Sequence, residues 1–352
     1  MSRAAEDFML RLWDRRGVLS TLLLPLAWVY GRITEWHMRA QARTAWRAPV
    51  PVIVVGNILV GGTGKTPVCT AVCAALQDHG WRPGLVSRGY GARIGTGPHL
   101  SDEDSSAQYL GDEPALLHQS TGVPVGVHPR RALAARMLLE AHPEIDVLIA
   151  DDGLQHRALA RDLEIIVQDR RGTGNGRLLP AGPLREPAAR LERADWVITN
   201  LGAADRATGH EGPGQRRVTM RLLPQSLTQL STGTRMGWPE WFEKHAGRPC
   251  SAAAAIGHPE RFFDMLEAAG LVLSRTLRLA DHGRLTATQL QSWPDGPILI
   301  TPKDAVKCAA PHDPRLWVVQ ARPAFDNPSW LDSLRETLRG LEHSAHKPGG
   351  RH

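Results

Sequence analysis

The string Gly61-Gly62-Thr63-Gly64-Lys65-Thr66 constrains the fold more than any other part of the chain, because of what stands on either side of it. Upstream, residues 51–56 (PVIVVG) have the β-branched pattern of a buried strand; downstream, residues 66–79 read as a helix stopped at Gly80. A strand that passes through a glycine turn directly into a helix gathers backbone N–H groups and the positive end of a helix dipole at one point, which is a phosphate cradle. In that reading Lys65 reaches the β- and γ-phosphates and the Thr66 hydroxyl binds Mg²⁺. The strict pattern G-x-x-x-x-G-K-[ST] wants glycine at position 59, where this chain has Leu59. A plain glycine turn with an incidental Lys-Thr is the alternative.

Further along, residues 84–87 (GLVS), 123–127, 145–150 (IDVLIA), 163–168 and 196–199 (WVIT) read as short strands, with helices over 112–119 and 130–142. Such alternation argues for a parallel sheet covered on both faces. A second set begins near residue 218, with strands at 252–256, 297–301 and 316–320 and helices at 259–269 and 304–309. The expected fold class is α/β, a P-loop NTPase-type parallel sheet flanked by helices, with a second, smaller α/β domain. The Pro/Gly-rich stretch 202–216 marks the boundary. It gives N-terminal amphipathic helices over 1–48, a phosphate-loop domain over 49–215, the smaller domain over 216–340 and a disordered polar tail over 341–352. With 352 residues, 42% hydrophobic and 22% charged, the chain can build two cores, and whole-chain disorder, collagen and coiled coil are excluded.

Carboxylates supply the next constraint. Asp151-Asp152-Gly153 follows the apolar run 145–150 directly. A strand end beside a phosphate loop is where such proteins hold Mg²⁺, and a divalent cation relieves the repulsion of adjacent carboxylates. A plain Asp-Gly turn is the alternative. In Gly111-Asp112-Glu113-Pro114 the helix dipole favours acids whether or not they serve as base or metal ligand. Asp281-His282-Gly283 stays open between surface turn and function, and Arg185, in the rigid segment 182–187, between anion clamp and solvated charge.

A formal charge of +6 favours acidic partners such as phosphates, nucleic acid or anionic lipid. The cysteines Cys69, Cys73, Cys250 and Cys308 form no C-x-x-C pair, so a reducing compartment is expected rather than a disulfide framework. No run of about 18 apolar residues exists to span a bilayer. The nearest stretch, residues 18–30 (VLSTLLLPLAWVY), contains Pro25 and is flanked by Arg15, Arg16 and Arg32. The first 47 residues hold Trp13, Trp28, Trp36 and Trp46 and eight arginines against four acids. Indole rings, an apolar face and surplus guanidinium suit an interfacial helix; packing on the protein's own core is the alternative.

Together these motifs resemble one family, the tetraacyldisaccharide 4′-kinases of lipid A biosynthesis. The likeness is carried by Val55-Gly56-Asn57 with residues 61–67 (GGTGKTP), by Ser87-Arg88-Gly89-Tyr90-Gly91, and by residues 111–114 (GDEP) and 151–156 (DDGLQH). Arg161-Asp162-Leu163, residues 179–187 (LPAGPLREP), Ile256-Gly257, 259–263 (PERFF), Asp281-His282 and 303–307 (KDAVK) continue it, in the family's order over about residues 15–330. The family's own loop is similar in lacking the glycine at 59. It usually has Asn where His258 stands, a second His or similar residue at Gly283 and Glu at Pro302.

The resemblance implies ATP-dependent phosphorylation of the 4′-hydroxyl of a tetraacylated glucosamine disaccharide 1-phosphate. It also implies a peripheral protein at the cytoplasmic face of the inner membrane, with ATP and Mg²⁺ as cofactors. Carried over by position, it implies Asn57, Gly61, Gly62, Thr63, Gly64, Lys65 and Thr66 at the nucleotide and Thr66, Asp151, Asp152 and Glu113 at the metal. Asp112 matches the proposed base, paired with His282; Lys65 and Asp152 stand among the catalytic groups, and Arg131, Arg185 and Gln155 at the substrate. The partners implied are the lipid disaccharide and an anionic membrane surface, with no nucleic acid and no obligate protein partner. Two other classes stay open: a membrane-associated P-loop ATPase switch and an ATP-dependent ligase on the same fold. Switch ATPases carry an extra Lys before the paired glycines, where this chain has Val60.

Overall fold

The structure is a computed structural model that describes residues 13, 15–89, 92, 97–102, 107–203, 205, 216–279 and 283–345. Asp281 and His282, most of the 202–216 stretch and residues 346–352 lie outside the described residues. In chain order the elements are α1 (Val18–Leu22), α2 (Leu24–Arg43), β1 (Val52–Gly56), α3 (Lys65–Gln77), β2 (Pro83–Ser87), β3 (His99–Leu100), α4 (Ala107–Leu110), α5 (Asp112–Thr121), β4 (Val125–Val127), α6 (Arg131–Ala141), β5 (Val147–Asp151), β6 (Leu163–Asp169) and β7 (Trp196–Leu201). There follow β8 (Arg216–Gln229), β9 (Arg235–Gly237), α7 (Trp238–His245), β10 (Cys250–Ala254), α8 (Pro259–Ala268), β11 (Leu273–Arg278), α9 (Ala287–Gln291), β12 (Ile298–Ile300), α10 (Pro302–Ala305), β13 (Leu316–Phe325) and α11 (Trp330–Ala345).

Two compact units result, the first holding the chain up to Thr199 and again from Phe325, the second holding Met220–Ala324. In the first, the strand order is β7-β6-β1-β5-β2-β4-β3. Strand β1 runs parallel to β5 and β6, β2 runs parallel to β5 and β4, and β3 is antiparallel at the edge. Every residue of β1, β2, β5 and β6 is buried. That is why these strands read as continuous apolar runs rather than as alternation. Val52, Val54, Ile58, Val86, Leu138 and Leu148 form the heart of one core layer. The register sets Val55 beside Asp151. The turns after β1 and β5 therefore leave the sheet side by side at its carboxyl edge, where open α/β sheets bind ligands.

The second unit orders its strands β11-β10-β12-β13-β8, with β10 parallel to β11 and β12, and β12 parallel to β13. Trp241, Phe262, Phe263, Leu266, Leu299 and Trp317 fill one of its cores. Asp304 of the KDAVK motif is buried here: it caps α10 together with Thr301 and accepts the Ala255 N–H at 2.9 Å. Its carboxylate therefore organises the local backbone.

Two expectations change. The chain is not divided once near residue 215, because from Phe325 it returns to the first unit, where Trp330 packs against Phe325 and Trp196. The tail expected from residue 341 is helical as far as Ala345. Trp330, Leu334 and Leu338 recur every four residues and are buried, and Leu341 continues the stripe, so this segment has an apolar face to cover. Trp330→Ala removes the anchor of that face and should cost roughly 3–5 kcal/mol. Calorimetric unfolding should show the loss as a lowered thermal midpoint, and an unshifted midpoint would refute the docking role.

Candidate active site

Residues 57–64 leave β1 as a turn in which Gly61 (φ +95°) and Gly64 (φ +93°) adopt left-handed backbone that a side chain would strain. Gly64 is the N-cap of α3 and no side chain caps that helix end, so the first N–H groups of α3 are left for a ligand or solvent. Asn57 is fully buried and closes the turn from within, its Nδ2 donating to the Gly61 carbonyl at 3.1 Å and to Thr63 Oγ1 at 3.3 Å. Leu59 is also fully buried and bridges to Leu184 in antiparallel fashion. Position 59 thus packs against the 182–187 segment, which gives its side chain a place.

The acidic pair stands beside this turn. Asp151 ends β5 with 2% exposure; its Oδ2 accepts the Ser87 hydroxyl at 3.2 Å and its Oδ1 faces Cys69 Sγ at 3.8 Å. Burial pushes its carboxyl up to about 6; Lys65 pulls the other way, and the negative charges of Glu113 and Asp152 add to the rise. Asp152 turns away on left-handed backbone (φ +47°), and its Oδ1 lies 3.3 Å from Lys65 Nζ and 3.6 Å from Arg185 Nη1. Burial opposes its ionisation, yet Lys65, Arg185 and Arg131 outweigh burial and hold it below the ordinary carboxylate range. Adjacent carboxylates pushed in opposite directions are a mark of acid–base and metal sites.

The oxygen donors fit Mg²⁺. Asp151, Asp152, Glu113 and the Thr66 hydroxyl offer hard oxygen donors, and a cation beside Asp151 would offset the cost that burial puts on its carboxylate. Among the described residues no three His, Cys, Asp or Glu side chains form a cage by themselves. Mg²⁺ asks for no cage, because it takes one or two carboxylates and completes its shell with phosphates and water.

The residues that the resemblance sets at the substrate are held by backbone and side-chain partners around the turn. Arg131 is 5% exposed; its Nη2 donates to the Asp152 carbonyl at 2.8 Å and its N–H to His156 Nε2 at 3.2 Å. Gln155 donates its amide to the Asn57 carbonyl at 3.0 Å and to Glu186 at 2.7 Å, tying the glycine turn to the 182–187 segment. Arg185 adds a backbone bond to the Ile58 carbonyl at 2.7 Å. Arg161 donates to the carbonyls of Leu154, His156 and Leu159 and so clamps the DDGLQH loop. Asp112 and Glu113 open α5, whereas His282 lies outside the described residues. The sequence reading passed over the buried Asp169 with Arg171, and Glu186 with Arg157 and Arg190. A carboxylate ending an apolar strand was the available signal for the first.

Burial, with the positive charges of Arg131 and Arg161, lowers the His156 pKa from 6.5 to about 4. The unfolded chain then binds the extra proton between those values, so this group's contribution to stability is present above 6.5 and is lost as pH falls through that window. His156→Gln removes the group, and circular-dichroism melts should show the variant gaining on the parent by about 2–4 °C between the two pH values. A constant gap would contradict a neutral His156.

Comparison with known proteins agrees with the geometry. The LpxK family model, tetraacyldisaccharide-1-P 4′-kinase, matches residues 19–339. The tetraacyldisaccharide 4′-kinase of Bordetella petrii is 49% identical over 348 residues, spanning 96% of this chain and 97% of its own. That of Dechloromonas aromatica is 45% identical over 328 residues, spanning 93% and 95%. Among solved structures, an "apo" form of LpxK from Aquifex aeolicus in complex with ATP matches with a TM-score of 0.74 at 26% identity, over 91% of this chain and 99% of that one. With the family model spanning most of the chain and relatives nearly half identical from end to end, the chain belongs to the tetraacyldisaccharide 4′-kinase family and is a kinase of lipid A biosynthesis.

Proposed function

We propose that residues 57–66 hold the triphosphate of ATP and that the carboxylates beside them hold Mg²⁺. The γ-phosphate then passes to the 4′-hydroxyl of a tetraacylated glucosamine disaccharide 1-phosphate. The observation that carries this reading is the ion pair of Lys65 with Asp152, set beside the glycine turn by the β1–β5 register. The ATP of the Aquifex aeolicus neighbour supports the choice of nucleotide.

Phosphoryl transfer asks chiefly for positioning and charge neutralisation. Lys65 supplies the mobile cation, exchanging Asp152 for a phosphate oxygen when nucleotide enters. Thr66, Asp151, Asp152 and Glu113 would hold Mg²⁺, which when bound neutralises phosphate charge. Arg185 stands 3.6 Å from Asp152 and can clamp an anionic group of either substrate. Asp112 is assigned as the base that takes the 4′-hydroxyl proton. A lone carboxylate is a weak base for a sugar hydroxyl, and the family motif assigns His282 to assist it. Arg131 and Gln155 act as positioning residues, the first for Asp152 and the second for Asn57.

Radiolabelled γ-phosphate followed from ATP into lipid by thin-layer chromatography, against a control without lipid, tests the reading. Lys65→Ala should lower transfer by about 10²-fold or more. Asp112→Ala should lower kcat by about 10²–10⁴-fold while raising the ATP KM far less. Nucleotide turnover without labelled lipid would favour a switch ATPase, and an unchanged kcat would remove Asp112 as base.

The acyl chains bring the reaction to a bilayer, and we read α1 and α2 as the contact, at the cytoplasmic face of the inner membrane. Among the described residues no helix is long and apolar enough to cross a membrane. Val18, Leu22, Leu26, Trp28, Ile33 and Trp36 are each more than half exposed. The same helices are tied to the first unit through Ser20 Oγ, which donates to the Ala181 carbonyl at 2.5 Å. Core packing therefore accounts for one face, and the interfacial reading for the other. Trp28→Ser with Trp36→Ser should reduce sedimentation with anionic vesicles by about tenfold and leave the thermal midpoint in place. Undiminished sedimentation would count against the contact.

A further inference from the structure

We propose that Arg171, locked by Asp169, is a positioning residue of the glycine turn that aims the Gly61 N–H at the nucleotide's phosphates. The inference rests on the reading of residues 57–66 as the ATP site. Asp169 is the last residue of β6, the neighbour of β1, and is fully buried. Its carboxylate accepts Arg171 Nε at 3.0 Å on each oxygen, Nη2 at 2.8 Å and the Arg171 backbone N–H at 2.9 Å. These bonds set the plane of the guanidinium and leave Nη1 to reach the turn after β1, where it donates to the Val60 carbonyl at 3.4 Å. Both Nη atoms lie 3.8 Å from the point where a Cβ on Gly61 would stand. The Val60 N–H is held separately by the Pro183 carbonyl at 2.9 Å, and the Gly61 carbonyl by Asn57 Nδ2 at 3.1 Å.

In a trans peptide the C=O and N–H point in opposite directions. A guanidinium that draws the Val60 carbonyl toward itself therefore turns the Gly61 N–H away from itself. The Asn57 bond to the Gly61 carbonyl does the same for the Gly62 N–H. Among the described residues neither N–H finds a protein acceptor, and both glycines are exposed. Donors oriented in advance, each by a bond on the far side of its own peptide, bind an anion without reorganising when it arrives. Because Asp169 offsets the charge of Arg171, the contribution of the pair is geometric.

Two changes isolate the effect. Arg171→Lys keeps a cation on Asp169 but has no second arm for Val60, and Asp169→Asn with Arg171→Gln replaces the ion pair by a neutral one. Each is assayed for phosphate transfer against ATP at saturating lipid, against lipid at saturating ATP, and for thermal unfolding. The expected result is an ATP KM raised about tenfold with a lipid KM within about twofold of the parent, a split that general loosening would not produce. An ATP KM within about twofold in a variant that unfolds cooperatively overturns the inference. Loss of cooperative unfolding in both would make the pair a determinant of folding and overturn it as well. Lys65→Ala separates the two levels: if it too leaves ATP binding intact, the turn is not the nucleotide site. If it cripples binding while the Arg171 variants do not, only the role of Arg171 fails.

Discussion

The parallel pairing of β1 with β5, with Val55 set against Asp151, is the constraint on which the rest of the site depends. Parallel neighbours end at the same edge, so the glycine turn and the acidic pair emerge together, and Lys65 can reach Asp152 from the first residue of α3. A slip of one residue would send the carboxylate to the other face of the sheet, and a slip of two would withdraw it by roughly 7 Å. Complete burial of both strands is what forbids either slip, since each would expose apolar residues or bury a charge elsewhere.

Around that register the molecule gives buried charge fixed partners. Arg131 and Arg161 lie against the carbonyls of the DDGLQH loop, Asp169 holds Arg171, and Glu186 sits between Gln155, Arg157 and Arg190. Leaving one such partner alone in a dry site costs about 3–5 kcal/mol, so each pair has one orientation worth keeping. Two of the carboxylates stay raised by burial despite the cations near them, Asp151 beside Lys65 and Glu186 beside Arg190 and Arg157.

Much of the fold was legible locally. Residues 51–56 and 145–150 announced buried strands because both faces of a parallel strand are apolar, and the glycine turn announced itself by its place between strand and helix. Other features had no local signature. Gln155 sits in the DDGLQH motif and Arg131 opens an Ala/Leu/Arg helix, yet whether such a group faces a ligand or a neighbouring carbonyl is decided by what lies across from it. The return of the chain at Phe325 was equally hidden, because the partner of Trp330 is Trp196, remote in sequence.

By itself the amino-acid order determined the strand–turn–helix unit, the acidic strand end, the surplus of arginine and tryptophan near the N-terminus and the likeness to one kinase family. These are properties of short windows, where periodicity and backbone freedom act between near neighbours. Tertiary structure alone decided which arginines hold the backbone, what the leucine at position 59 packs against, and which face of the N-terminal helices is left open. The reason is physical: a hydrogen bond or a buried charge is defined by its partner, and here the partners arrive from strands and loops that only the folded sheet brings together.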